Sequence, residues 1–97
     1  MYGTVAKMKL KPGMEQAFKE FSERASYRDN TPGLVFDYVF KLDSGNDEYF
    51  LVVGFTDKDA YAKNAQSPEQ HKQYEEYMKM LVEEPEWHDG EIVFASS

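Results

Sequence analysis

Leu34-Val35-Phe36-Asp37-Tyr38-Val39-Phe40-Lys41-Leu42, then Asp43-Ser44-Gly45-Asn46-Asp47, then Glu48-Tyr49-Phe50-Leu51-Val52-Val53-Gly54-Phe55-Thr56, is the stretch that decides the fold of this chain. In the first run Leu34, Phe36, Tyr38, Phe40 and Leu42 alternate strictly, which is the period of a strand. The residues between the runs are turn formers, so the two strands are expected to join in a hairpin-type connection. The second run, 48–56, is apolar on both sides: Tyr49, Leu51, Val53 and Phe55 against Phe50 and Val52. An ordinary antiparallel sheet leaves one face polar, and this strand does not.

The pattern continues in both directions. Residues 2–10 read as a strand, with Thr4, Ala6, Met8 and Leu10 on one side, ended by Pro12-Gly13. Residues 14–27 read as a helix, with Met14, Ala17, Phe18, Phe21 and Ala25 in a stripe at helical spacing. Asp29, Asn30, Pro32 and Gly33 make a loop. After the hairpin, Thr56 is expected to cap a short helix with Ala60, Tyr61 and Ala65 on its inner side. Ser67-Pro68 starts another, a capping hydroxyl followed by Pro at the first turn, with His71, Tyr74, Met78 and Leu81 along one face. Pro85 stops it, and 90–96 read as the last strand. The order β-α-β-β-α-β, with the second helical segment split, is the ferredoxin-like α+β arrangement: a four-stranded antiparallel sheet with helices on one face, in one domain over 1–97.

Helices cover only one face of such a sheet. Phe50 and Val52, with Val35 and Val39 opposite the main stripe of the second strand, leave the other face apolar. Monomers rarely expose a contiguous apolar patch of that size, so a homodimer through the sheet face is expected.

Composition narrows the function. The net charge of −7, from 11 basic and 18 acidic residues, repels phosphate backbones and anionic membranes, so neither is an expected partner. With no cysteine there is no disulfide, Fe–S cluster, zinc thiolate site or thiol nucleophile. No run approaches the roughly 20 apolar residues that cross a bilayer and no signal-peptide core opens the chain, so a cytoplasmic location is expected. Neither a phosphate-binding glycine loop nor a nucleophile elbow is present, which removes NAD(P), ATP and hydrolase chemistry. Two separated histidines give no metal site, and no cofactor is expected.

From end to end the chain resembles the antibiotic biosynthesis monooxygenase family of dimeric α+β barrels. The resemblance rests on Lys11-Pro12-Gly13, on Pro32-Gly33-Leu34, on the run Phe55-Thr56-Asp57-Lys58-Asp59-Ala60-Tyr61, on Ser67-Pro68-Glu69-Gln70-His71 and on Pro85 to Glu91. It implies the ferredoxin-like fold and dimerisation. The family includes cofactor-free oxygenases of phenols, haem-degrading oxygenases, isomerases and members with no known activity, so it does not fix one reaction. The haem-degrading pattern of Asn, Trp and His falls here on Ala6, Asn64 and Tyr74, with His71 one turn earlier than the ligand position. The quinone-forming pattern of Asn, Trp and Tyr falls on Leu51, Phe55 and Tyr61, of which the Tyr is kept.

Cofactor-free oxygenation needs a dry aromatic pocket, a proton acceptor and donors toward a developing oxyanion. His71 is the candidate base, since imidazole is the side chain that titrates around neutrality. Tyr38, Tyr61 and Tyr74 are candidate hydrogen-bond donors; Phe36, Phe55 and Trp87 are candidate stacking surfaces. Each also has a structural reading: His71 as a partly buried helix residue, Trp87 as a plug at the barrel end, His88 beside Asp89 as a solvent-facing residue in a turn. The expected function is a cofactor-independent monooxygenase acting on a small aromatic or quinol-like metabolite. The rivals are a non-catalytic dimeric small-ligand-binding protein and a haem binder with altered ligation.

Overall fold

In the computed structural model, which describes residues 1–23 and 31–96, the doubly apolar run forms β3 (Glu48–Phe55) in the interior of a four-stranded sheet. β2 (Leu34–Lys41) pairs with it on one side and β1 (Tyr2–Lys9) on the other, and β4 (Glu86–Glu91) pairs with β1. All three pairings are antiparallel and the order is β2-β3-β1-β4, the ferredoxin-like arrangement expected. α1 (Glu15–Ser22), α2 (Lys58–Ala65) and α3 (Pro68–Met80) complete it. The end of the expected first helix, with Ala25, and the expected loop residues Asp29 and Asn30 lie outside the described residues.

The core forms where the helices meet one face of the sheet. Ala6, Met8 and Leu10 from the β1 side and Tyr49, Leu51, Val53 and Phe55 from β3 are buried against Phe18, Met80 and Leu81. Burial of a ring such as Phe55, 1% exposed, contributes about 1.5–3 kcal/mol. Rings lock α1 to the far end of this layer: Phe18 meets Tyr49 at 5.8 Å and Tyr77 at 5.6 Å, and Phe21 meets Tyr77 at 4.8 Å.

The helix starts follow local chemistry. Ser67 caps α3, its hydroxyl accepting from the Gln70 amide at 3.1 Å, and Pro68 fills the first position. The cap of α2 is Asp57 and not Thr56: its carboxylate accepts from the Ala60 amide at 2.8 Å and so binds the positive end of the helix dipole. α3 ends at Met80, and Leu81 leaves the helix to form a bridge with Leu10.

Two expectations are corrected. The last strand is Glu86–Glu91, not 90–96; it follows directly on Pro85 and is an edge strand exposed along its length. The apolar alternation of Ile92, Val93, Phe94 and Ala95 suggested a strand, but the ladder with β1 ends at Tyr2↔Glu91, followed by one backbone bond in which the Ile92 amide donates to the Met1 carbonyl at 2.9 Å. Trp87, His88 and Asp89 are therefore strand residues and alternate between the two faces of the sheet.

The second correction concerns β2. Leu34 pairs with Phe55, but Phe36 pairs with Gly54, so a bulge places one extra residue, Val35, in β2. Beyond it the sides are exchanged. Phe36, Tyr38 and Phe40 share the helix-free face with Val52 and Phe50, while Asp37 and Val39 share the helix-covered face with Val53 and Leu51. The Phe36 ring lies on Gly54, where a Cβ would come within 2.3 Å of it. No element described here covers that face, and Tyr38, Phe40 and Val5 are exposed on it.

Candidate functional site

Between the sheet and the paired helices α2 and α3 lies a pocket of about 430 Å³, within the usual range of small-ligand sites. Its floor draws on two cross-strand rows, all of the first and Leu51 and Trp87 of the second. One runs Asp37, Val53, Thr4, Asp89 across all four strands; the next runs Val39, Leu51, Ala6, Trp87. Residues directly opposite in a ladder share a face, so the first row carries a carboxylate at each end and a hydroxyl inside. Tyr61 and Asn64 of α2 and Gln70, His71, Tyr74 and Tyr77 of α3 form the remaining walls.

Tyr61 is the best-held polar group. Its ring packs edge-on to Tyr2 at 5.4 Å and to Phe55 at 5.6 Å, and its hydroxyl donates to Asp89 Oδ1 at 2.8 Å. Burial pushes the phenol well above the usual range and the Asp89 carboxylate pushes it further, so the group stays protonated. Thr4 lies beside it, 5% exposed, its buried hydroxyl acting on the phenol in the opposite, lowering sense. Tyr74 and Trp87 face each other at 6.3 Å, and Asn64 Nδ2 donates to Gln70 Oε1 at 3.3 Å, joining α2 to α3.

Of the residues singled out from the sequence, Phe55, Tyr61, Tyr74 and Trp87 meet in this pocket. His71 also lines it, but at the rim. Its side chain is 73% exposed and not turned inward, and Nε2 lies 3.1 Å from Glu75 Oε1. Tyr38 and Phe36 are not in the pocket: the bulge puts them on the opposite face of the sheet, stacked at 5.5 Å. His88 is on that opposite face too, opposite Val5, with Nε2 3.0 Å from Glu86 Oε1. Among the described residues no three His, Asp or Glu side chains converge as metal ligands.

Sequence reading missed Thr4, Asp37, Gln70, Tyr77 and Asp89 as pocket residues. Thr4 left a signal, being the one hydroxyl in an otherwise apolar strand stripe. Asp37 left a misleading one, because without the bulge it would point away from the helices. A second depression of about 980 Å³, lined by Thr31, Asp57, Lys63 and Glu69 among others, has no aromatic ring and no histidine among the described residues that line it.

The sequence model of the family described as "Antibiotic biosynthesis monooxygenase" matches residues 1–77, and the chain belongs to that family. No curated protein matches it. Solved structures share the fold closely at low identity. A candidate antibiotic biosynthesis monooxygenase from Bordetella bronchiseptica is similar with a TM-score of 0.80 at 18% identity, over 96% of this chain and 97% of that one. SnoaB, a cofactor-independent oxygenase from Streptomyces nogalater, is similar with a TM-score of 0.81 at 14% identity, over 97% and 94%. A conserved protein from Methanosarcina mazei is similar with a TM-score of 0.79 at 16% identity, over 92% and 89%. At these identities the likeness is one of fold.

Proposed function

We propose that the protein is a cofactor-independent monooxygenase that oxidises a small aromatic, quinol-like metabolite and works as a homodimer. The observation that carries the reading is the meeting of a rim histidine and a carboxylate-bound phenol in one ring-lined pocket. The family, and the cofactor-independent oxygenase among the proteins of like fold, agree with it.

The chemistry follows from the parts. The aromatic walls hold a flat ring away from bulk water. Tyr61, fixed in place by its bond to Asp89, packs beside the substrate ring and orients its hydroxyl so that the one proton points to His71. His71, with Glu75 beside it to stabilise the imidazolium, takes the hydroxyl proton. The resulting phenolate carries negative charge on the ring carbons beside and opposite its oxygen, and the reaction takes place at one of these that bears hydrogen. That carbon passes one electron to O₂, and the two radicals join as a carbon peroxide. Loss of the remaining C–H proton and cleavage of the O–O bond leave a quinone carbonyl. One oxygen atom ends on the ring; the other leaves as water with the two hydrogens that the substrate gave up.

The dimer reading rests on the helix-free face, where Val5, Tyr38 and Phe40 are exposed beside Phe36, Phe50 and Val52. A second copy laid over that face removes the patch from water.

Oxygen uptake with a panel of hydroquinones and anthrones tests the activity. Uptake that is lost in His71→Ala supports it; no uptake across the panel overturns it. The exposure of the His71 side chain favours one second reading, a small-ligand-binding protein without catalysis. That reading gains if ligands bind and the mutant binds them equally well. A Soret band in the purified protein would point to haem instead.

A further inference from the structure

The pocket also carries a charge pattern that the oxygenase reading does not use. Its described lining contains two carboxylates, Asp37 and Asp89, and no lysine or arginine. Asp89 is engaged by Tyr61, whereas Asp37, only half exposed, makes no hydrogen bond or ion pair with a described residue. Between them in the same row lies Thr4, buried beside the Tyr61 hydroxyl.

We propose that the pocket takes an aromatic amine: a hydroxylated ring that carries a protonated amino group on a short arm. This rests on the pocket being the substrate site, and it names the substrate's class. Asp37 pairs with the ammonium group at the β2 end. The ring lies over Val53 toward Trp87 and Tyr74, whose faces stack on it. The hydroxyl lies at the β4 end, beside Tyr61 and Asp89. The span agrees. Three strand spacings separate the ends of the row by roughly 14 Å. A phenol with a two-carbon amine arm is about 8 Å between its polar atoms, and a hydrogen bond of about 2.8 Å at each end brings it to that length. The net charge of −7 draws cations toward the molecule and repels aromatic acids of the same shape.

Three probes of matched shape test this: tyramine, 4-ethylphenol and 4-hydroxyphenylacetate. The one tryptophan of the chain, Trp87, lines the pocket, so its fluorescence reports binding to the whole protein. Tyramine is expected to bind about tenfold more tightly than 4-ethylphenol, as a charge-assisted contact allows, with the acid weakest. Asp37→Asn is expected to bring tyramine down to the level of 4-ethylphenol and leave 4-ethylphenol unchanged. Should that variant not fold, salt gives the same answer on the unaltered protein: tyramine binding weakens with ionic strength and 4-ethylphenol binding does not. Equal affinities, preference for the acid, an undiminished preference in Asp37→Asn or in salt, or no binding of any probe at millimolar concentration would overturn the proposal. Tyramine preference without oxygen uptake on any hydroxylated aromatic amine would sink the oxygenase reading and leave this one standing.

Discussion

The Tyr61 hydroxyl donates to Asp89 Oδ1 at 2.8 Å, and this bond ties α2 to an edge strand that is otherwise held to the sheet only through β1. The bond is partly exposed, so its removal costs less than a buried charged contact. Tyr61→Phe is expected to lower stability by about 1 kcal/mol, or roughly 4–8 °C in Tm for a domain of this size. Thermal unfolding of the single and double variants with Asp89→Asn measures the coupling; additive losses would show that the pair contributes nothing.

The same phenol predicts an alkaline limit. Its folded value is raised above its unfolded one, first by burial and then by Asp89. The stability it confers is therefore fully present below pH ~10, where the unfolded phenol titrates, and is lost as pH rises toward the folded value. Spectroscopic titration of the tyrosines is expected to show a late-ionising phenol that Tyr61→Phe abolishes.

On the acid side the pair Lys41 and Glu15, at 3.0 Å, joins β2 to α1. The hydrogen bond and charge of Lys41 hold the Glu15 carboxyl below its usual range, and Lys7 and Ser44 do the same for Glu48. A lowered folded value means stability that is present above pH ~4.5 and is lost as pH falls through the folded values. Tm is expected to change little between pH 7 and 5 on this account and to fall below that. Lys41→Met should flatten part of the acid slope; an unchanged slope would show that the pair is too exposed to matter.

Charge placed on the helix-free face tests the assembly. Phe40→Glu, at an exposed position, is expected to leave the fold intact and give a particle of single-chain mass in sedimentation at micromolar concentration. An unaltered protein that already sediments at that mass would refute the dimer.

The His71 side chain is largely exposed, so His71→Ala is expected to change stability by less than about 0.5 kcal/mol. Loss of a positioned base lowers turnover by about 10²–10⁴-fold. A variant equally stable and equally active would remove His71 from the mechanism.

The layer order, the doubly apolar character of β3 and the Ser67 cap could be read from the sequence because each follows from local pattern: alternation, an unbroken apolar run, a hydroxyl before a proline. Tyr61, Tyr74, Phe55 and Trp87 were legible as pocket residues because rings at those positions have few places to go but the layer under the helices. Tyr38 was not. Its alternation with Leu34 is real, but a ladder irregularity at Val35 leaves no mark in a hydrophobic pattern, since Val suits either side. Asp37 was hidden by the same step. The fourth strand was misplaced because Glu86 to Glu91 pair by their backbones at an edge, where side-chain polarity places no constraint on the choice.

The extra residue in β2 has a consequence for how the family's members can diverge. Side-chain direction past Leu34 depends on a count of residues, not on any one side chain's chemistry. Removing Val35 would leave a regular ladder with Phe36 still opposite Gly54 and Asp37 still opposite Val53, so both sides would survive the deletion. A one-residue slip that drew Val35 into the ladder would instead exchange the two sides, altering ligand choice and self-association in a single step.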